Sequence, residues 1–362
     1  MANKIIGASL FSSSGIAEYY FEEIGIDIKT ANELLPRRAK LYEYFYPNAN
    51  MINGSICDED IFNKVLADIK KNNPKFLIAT PPCQGMSTLG KKEYSTDKRN
   101  YLIFYAFDIM DNHDFDYILI ENVPKFLQLY FPYDGEILKL EEIIERKYSD
   151  KYDYEAFVLN AADYGVPQSR PRGFIKMYKK GLTWSNPEEQ KRITLRESIG
   201  HLPSLESGQD SGIKWHFAKK HNDREILAMK HTPEGKSALK NPVYYPKKKD
   251  GQPVKGFHNT YKRMKWDEPS PARAMNNGNM GGHNNVHPGR ELPDGTYSDA
   301  RVLTLKELFI VSSLPKDMDL PEWCTDNLIR TVIGEAIPPL FSKNIVKGIG
   351  ELENDWIRKK QR

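Results

Sequence analysis

Through the first half of the chain, short apolar runs that stop at small, polar or proline residues alternate with amphipathic stretches. IIGASLF, from Ile5 to Phe11, predicts a strand, and GIAEYYFEEIG, from Gly15 to Gly25, predicts a helix. DIKTANE, ending at Glu33, predicts a second strand, and PRRAKLYEYFYP a helix closed by Pro47. KFLIATPP and DYILIENVP are apolar strands, each ending abruptly at polar residues and proline. This alternation predicts the α/β class, with a doubly wound, mostly parallel sheet that has helices on both faces. Ligands of such sheets bind beyond the carboxyl ends of the strands.

From about Leu182 to Ala300 the pattern dissolves into proline, glycine, asparagine and lysine, and NNGNMGGHNNVHPGR (Asn276 to Arg290) reads as loop. Regular patterning resumes at RVLTLKELFIVSSLP, a helix following the cap-competent Thr304, and PLFSKNIVKGIGELENDWIRKK predicts a last amphipathic helix. Three regions are expected. Residues 1–180 form a catalytic and cofactor-binding domain, 181–300 a smaller irregular recognition domain, and 301–362 helices returning to the first.

Composition narrows the class. With 40% hydrophobic and 28% charged residues the chain has an ordinary globular balance. No apolar run is long enough to span a bilayer and no secretory pattern is present, so a cytoplasmic protein without membrane association is expected. Cys57, Cys83 and Cys324 form no C-x-x-C pair and the histidines no H-E-x-x-H, so no bound metal is expected. Between Lys176 and Ser270 lie 20 Lys and Arg against 11 Asp and Glu, a net of +9, whereas the whole chain carries only +3. Such a basic segment suits a polyanion partner or a solvated lysine-rich surface equally well.

Chemistry-bearing residues gather at strand ends. TPPCQGMS, Thr80 to Ser87, puts Cys83 at the mouth of the sheet, between Pro81-Pro82 and a glycine-containing loop. A lone cysteine is more often packing than nucleophile. Glu121 ends the next strand and is expected in the same cleft, which gives both residues more weight. QSRPR then places Arg170 and Arg172 two apart, on one face of a predicted strand, as an anion clamp.

In this order these pieces resemble the C5-cytosine DNA methyltransferase family, whose signature elements are a P-P-C-Q loop, an E-N-V strand end and a Q-x-R-x-R strand. Arg301, Leu303, Thr304 and Glu307 look like its R-x-L-T-x-x-E helix, and IGEAIPP (Ile333 to Pro339) like its G-N-A-V-P-P motif, with Glu335 in place of asparagine. ASLFSSSGIAEYYF resembles the D-L-F-x-G-x-G-G cofactor turn; Gly15 is kept and Ser13 replaces the first glycine. Serine fits there only if φ is not strongly positive. Ser55 stands where the family usually has the aspartate of G-D-I.

The resemblance implies the S-adenosylmethionine-dependent methyltransferase fold and transfer of a methyl group to carbon 5 of a cytosine in DNA. Cys83 would be the nucleophile, Glu121 the partner of the N3 and amino edge, Arg172 a contact to the cytosine carbonyl, and Arg170 a brace for the cysteine loop or a phosphate. Phe11, Gly15, Glu33, Leu34, Ser55, Ile56, Pro81 and Glu335 would hold S-adenosylmethionine. Gln84 and Ser87 would close behind a flipped base, and Lys91, Lys92, Lys98 and Arg99 would grip phosphates. Arg263, Arg273, Asn276, Asn277 and His283 are candidates to read base edges in the basic segment. The implied partners are double-stranded DNA and a cognate restriction endonuclease, with the chain acting as a monomer in a prokaryotic cytoplasm. Methylation of transfer RNA and a non-catalytic DNA-binding role are the competing readings. The absence of G-x-G-x-x-G after the first strand argues against a dehydrogenase.

Overall fold

The computed structural model describes residues 4–82 and 97–350. The chain folds into two units, one made of residues 1–160, 171–188 and 342–362, the other of 161–170 and 189–341.

The first unit is built on seven strands: β1 (Ile5–Leu10), β2 (Ile26–Glu33), β3 (Asn50–Asn53), β4 (Phe76–Ala79), β5 (Tyr117–Asn122), β6 (Tyr152–Asn160) and β7 (Pro171–Lys179). Their order across the sheet is β3-β2-β1-β4-β5-β7-β6. The first five pair in parallel and β7 runs antiparallel to both of its neighbours, which confirms the mostly parallel α/β class. β4 and β5 are buried along their whole length, as their unbroken apolar runs require. Helices α2 (Glu59–Asn72), α3 (Ile103–Asn112) and α4 (Leu140–Tyr148) cover one face, packing Val65, Ile69, Phe107, Met110, Ile143 and Ile144 onto Leu10, Leu77, Ala79, Ile118 and Ile120. Helix α1 (Pro36–Phe45) contributes Ala39 and Tyr42 to a separate cluster with Ala31 and Met51.

The stretch from Gly15 to Gly25, expected to be a helix, forms two 3-10 turns, Ile16–Glu18 and Glu22–Ile24. Its backbone bonds run from each donor to the third residue before it, from Glu18 to Gly15, Phe21 to Glu18 and Ile24 to Phe21. Tyr19, Tyr20 and Phe21 are weak helix formers, and Gly25, at φ 89°, ends the segment.

The second unit holds α5 (Leu195–Ile199), α6 (Asp223–Lys230), α7 (Leu305–Val311) and α8 (Asp326–Glu335), and much of the rest is irregular. Irregular backbone leaves carbonyls without ladder partners, and buried arginines supply the missing donors. Arg170, Arg263, Arg273, Arg301 and Arg330 are all buried here. Arg263 alone donates to the carbonyls of Met229, His287 and Asp299. Thr304 caps α7 reciprocally with Glu307.

The boundary expected at residue 300 falls instead within α9 (Pro339–Val346), so residues 301–341 belong to the second unit. The reason is Arg301, which bonds the Leu205 carbonyl at 2.8 Å and pairs with Asp299 at 2.8 Å and Glu307 at 2.7 Å, all fully buried. Burial is the largest single influence and works against the charge on Glu307, but the Arg301 guanidinium together with the other donors around the carboxyl, the Thr304 amide among them, holds it down to about 2. Burial, reinforced by the positive charge of Arg301, pushes His287 down to about 3, so its imidazole is neutral between the two carboxylates. A carboxylate with a depressed pKa stabilises the fold above its ordinary value of 4.5, and that contribution disappears as pH falls towards about 2. Arg301→Met would leave Glu307 buried without its cation and Asp299 with only the longer contact to Arg290. Its expected cost is about 3–5 kcal/mol, read from urea unfolding at neutral pH.

Candidate active site

Strand register places the candidate groups of the first unit at one level. Leu10 of β1 lies opposite Asn32 of β2 and Ala79 of β4, and Ala79 lies opposite Ile120 of β5. The residues that follow are Phe11, Glu33, Thr80 and Glu121, so all four stand at one level at the carboxyl edge, Phe11 and Thr80 just past their strands and Glu33 and Glu121 within the last two residues of theirs. Thr80 ties two of these ends, its amide donating to the Leu10 carbonyl and its hydroxyl to that of Phe11. Asn122 ties the next pair, its amide group donating to the Pro81 carbonyl at 3.0 Å.

The turn after β1 is tightly wound, with Phe11 at φ 60°, Ser13 at 48° and Gly15 at 72°. Ser13 therefore does adopt the left-handed region that the sequence comparison argued against. What holds it there is Glu33: one carboxylate oxygen accepts from the Ser13 amide at 2.9 Å and the other from Leu35 at 2.8 Å. Each oxygen accepts one N–H in these bonds, which leaves acceptor capacity on both. Leu34, beside it, is 57% exposed and offers an apolar surface at the strand end. Ser55 and Ile56 follow β3, whose last residue, Asn53, lies opposite Glu33. The Ser55 hydroxyl accepts from the Cys57 amide, and Ile56 is buried.

Glu121 and Arg172 meet as a diagonal pair on β5 and β7, Nε to Oε1 at 3.0 Å, with both side chains largely buried. The register that sets Phe174 opposite Glu121 puts Arg172 on the same face two residues away. Arg170 does not share this position. It lies in the second unit, where it donates to the carbonyls of Arg273, Gly334 and Glu335. The expected two-arginine clamp is therefore corrected: Pro171 starts the strand, Arg170 precedes it, and the two guanidiniums serve separate partners. Glu335 ends α8, also in the second unit.

Cys83, Gln84, Ser87, Lys91 and Lys92 lie outside the described residues. Arg99 is paired with Asp97 at 2.6 Å, and Lys98 is exposed. Among the candidate base readers, Arg263, Arg273 and Asn277 are buried and bonded to backbone carbonyls, so none presents its side chain at the surface. Asn276 and His283 are exposed. Sequence reading missed Phe257, which is 72% exposed with its ring edge-on to His283, among the exposed Lys247, Lys248, Lys249 and Lys255. A phenylalanine inside a run of lysine and glycine was the available signal.

The profile of the family described as C-5 cytosine-specific DNA methylase matches residues 5–351. The chain belongs to that family. The methylase is 47% identical over 353 residues to the type II methyltransferase M1.HgaI of Avibacterium volantium, covering 96% of this chain and 99% of that one. It is 27% identical to M1.HphI of Haemophilus parahaemolyticus, over 94% and 85% of the two chains. A solved E. coli protein, prophage-encoded and described as a DNA modification methyltransferase, shares the fold with a TM-score of 0.68 at 18% identity, over 97% of the methylase and all of that chain. The methylase is a DNA cytosine-5 methyltransferase.

Two substitutions in the turn after β1 should act in opposite ways. In Gly15→Ala the new methyl group would lie 2.2 Å from the half-buried Tyr46 ring at a φ of 72°, so a loss of at least about 2 kcal/mol is expected. Ser13→Gly relieves a left-handed serine and should leave the melting temperature unchanged or raise it. Thermal unfolding of the two variants side by side checks both.

Proposed function

We propose that the methylase moves a methyl group from S-adenosylmethionine to carbon 5 of a cytosine flipped out of duplex DNA, with Cys83 as the nucleophile. The observation that carries this reading is the Glu121–Arg172 pair, whose glutamate lies on the strand beside the one that leads into Pro81-Pro82-Cys83. Carbon 5 of cytosine is too weak a nucleophile to take a methyl group unaided. The Cys83 thiolate adds to carbon 6, and the displaced electron pair moves through the ring to N3, which gains a proton and leaves an enamine nucleophilic at carbon 5. Glu121 binds the N3 and amino edge and supplies that proton, while Arg172 orients Glu121 and contacts the ring carbonyl. After methylation N3 returns its proton to Glu121, a base takes the carbon 5 proton, and the electron pair left at carbon 5 re-forms the 5,6 double bond and expels Cys83 as the thiolate.

The residues at the carboxyl edge fit the methyl donor. Glu33 has acceptor capacity for ribose hydroxyls, the turn of Phe11 and Gly15 offers backbone to the methionine part, and Leu34, Ser55 and Ile56 line the adenine side with Pro81 near the sulfur. Bound there, S-adenosylmethionine supplies an electrophilic methyl on a sulfonium. Gln84 and Ser87 fill the space behind the flipped base. The exposed lysines around Phe257 contact phosphates, with Asn276 and His283 among the groups reading bases. We assign Arg170, Arg263, Arg273, Asn277 and Glu335 to holding the second unit together. The enzyme works as a monomer in the cytoplasm, protecting the site cut by a companion restriction endonuclease.

Tritiated methyl transfer to mixed-sequence duplex DNA, with transfer RNA and Cys83→Ser in parallel, tests this directly. The expected result is labelled 5-methylcytosine in one DNA context by bisulfite sequencing, with at least a thousandfold loss in Cys83→Ser. Label on transfer RNA alone, or undiminished transfer by the variant, would overturn it.

A further inference from the structure

The proposed cofactor turn rests on a carboxyl group that the catalytic scheme does not use. Glu18 closes the first 3-10 turn and is 2% exposed. Its Oε1 accepts from the Ser9 hydroxyl near the end of β1, and its Oε2 accepts from the Tyr42 hydroxyl of α1 at 2.7 Å. Tyr46, its ring tilted against that of Tyr42 with centroids 4.5 Å apart, donates to the Gly15 carbonyl at 2.6 Å. One buried side chain therefore links the strand before the turn, the 3-10 segment after it and the helix that follows Glu33. Ser9 also occupies the position that is aspartate in the family's D-L-F-x-G-x-G-G pattern, so here the carboxyl comes from the far side of the turn.

We propose that Glu18 is a positioning residue for the methyl donor: ionised, it draws both hydroxyls onto itself, fixes the turn and favours a cationic ligand above it. This rests on the assignment of the turn to S-adenosylmethionine. The titratable groups facing Glu18 are the phenols of Tyr42 and Tyr46. Burial first, and then the Glu18 charge, holds both well above their ordinary value, so neither ionises near neutrality. Burial raises Glu18 itself to about 7, against the pull of its two hydroxyl donors. A carboxyl raised in this way stabilises the fold fully below 4.5 and loses that contribution as pH rises through about 7. A bound sulfonium offsets the loss, because charge–charge attraction is strong where water is excluded.

The test is calorimetric binding of S-adenosylmethionine and of S-adenosylhomocysteine, which lacks the sulfonium, between pH 6 and 8.5, with unfolding midpoints measured alongside. Relative to Glu18→Gln, the wild type should gain about three- to tenfold in affinity for S-adenosylmethionine across this range, and distinctly less for S-adenosylhomocysteine. Tyr42→Phe removes one donor to the carboxylate and should move the wild-type transition to higher pH, a result that stands even if Glu18→Gln folds poorly. Equal affinities and superimposable pH profiles for wild type and both variants would overturn the role of Glu18. Failure of the folded wild type to bind either ligand would instead overturn the cofactor assignment beneath it.

Discussion

The parallel pairing of β4 between β1 and β5 is the constraint on which the site depends. It sets Leu10, Ala79 and Ile120 side by side, so β1 and β4 end at one height and β5 runs only two residues past them. A shift of one residue in any of these strands would turn its alternate side chains to the other face and dismantle the arrangement. The full burial of β4 and β5 makes such a shift costly, because each strand carries apolar side chains into the layers on both sides. The bonds beyond the sheet, from Thr80 to Leu10 and Phe11 and from Asn122 to Pro81, extend that register into the loops. Glu121 and Arg172 inherit their meeting from the same lattice, through the antiparallel addition of β7.

The two units solve the problem of buried backbone in different ways. In the first, strand ladders and helices pair the peptide groups. In the second, where strands shrink to pairs such as Gln168–Ser169 and Ser270–Pro271, arginine side chains do much of that work. A guanidinium presents five donors in a planar fork, so it can hold several carbonyls from separate loops at once. Arg273 does this for Pro271 and Asn284, and Arg170 for Arg273, Gly334 and Glu335. A unit organised in this way can vary its exposed loops while keeping its framework.

This division explains what was legible in the sequence. Strands such as Phe76–Ala79 and Tyr117–Asn122 could be read because their apolar runs end sharply, and Glu121 because it sits where such a run stops. Helix α7 could be read from Thr304 and Glu307, whose reciprocal cap is local chemistry. Arg263, Arg273 and Asn277 misled because residue type alone does not tell a base-reading arginine from one turned inward to carbonyls; that depends on burial, which an aperiodic segment does not encode. Arg170 misled because the two-residue spacing assumed a continuous strand, whereas the strand starts at Pro171. The Glu18 network was hidden for another reason, since Ser9, Glu18 and Tyr42 are brought together only by the fold.

In the proposed mechanism catalysis passes through a bond between Cys83 and carbon 6 of the target cytosine. This step is tested most directly with duplex DNA carrying 5-fluorocytosine at the methylated position. Fluorine cannot leave as a cation, so the adduct formed during methyl transfer cannot resolve and should persist. The expected product is an S-adenosylmethionine-dependent, denaturant-resistant complex of one protein and one duplex, with the modified peptide mapping to Cys83 by mass spectrometry. A wild-type enzyme that methylates ordinary duplex yet leaves no adduct on the fluorinated one, or an adduct at Cys57 or Cys324, would contradict it.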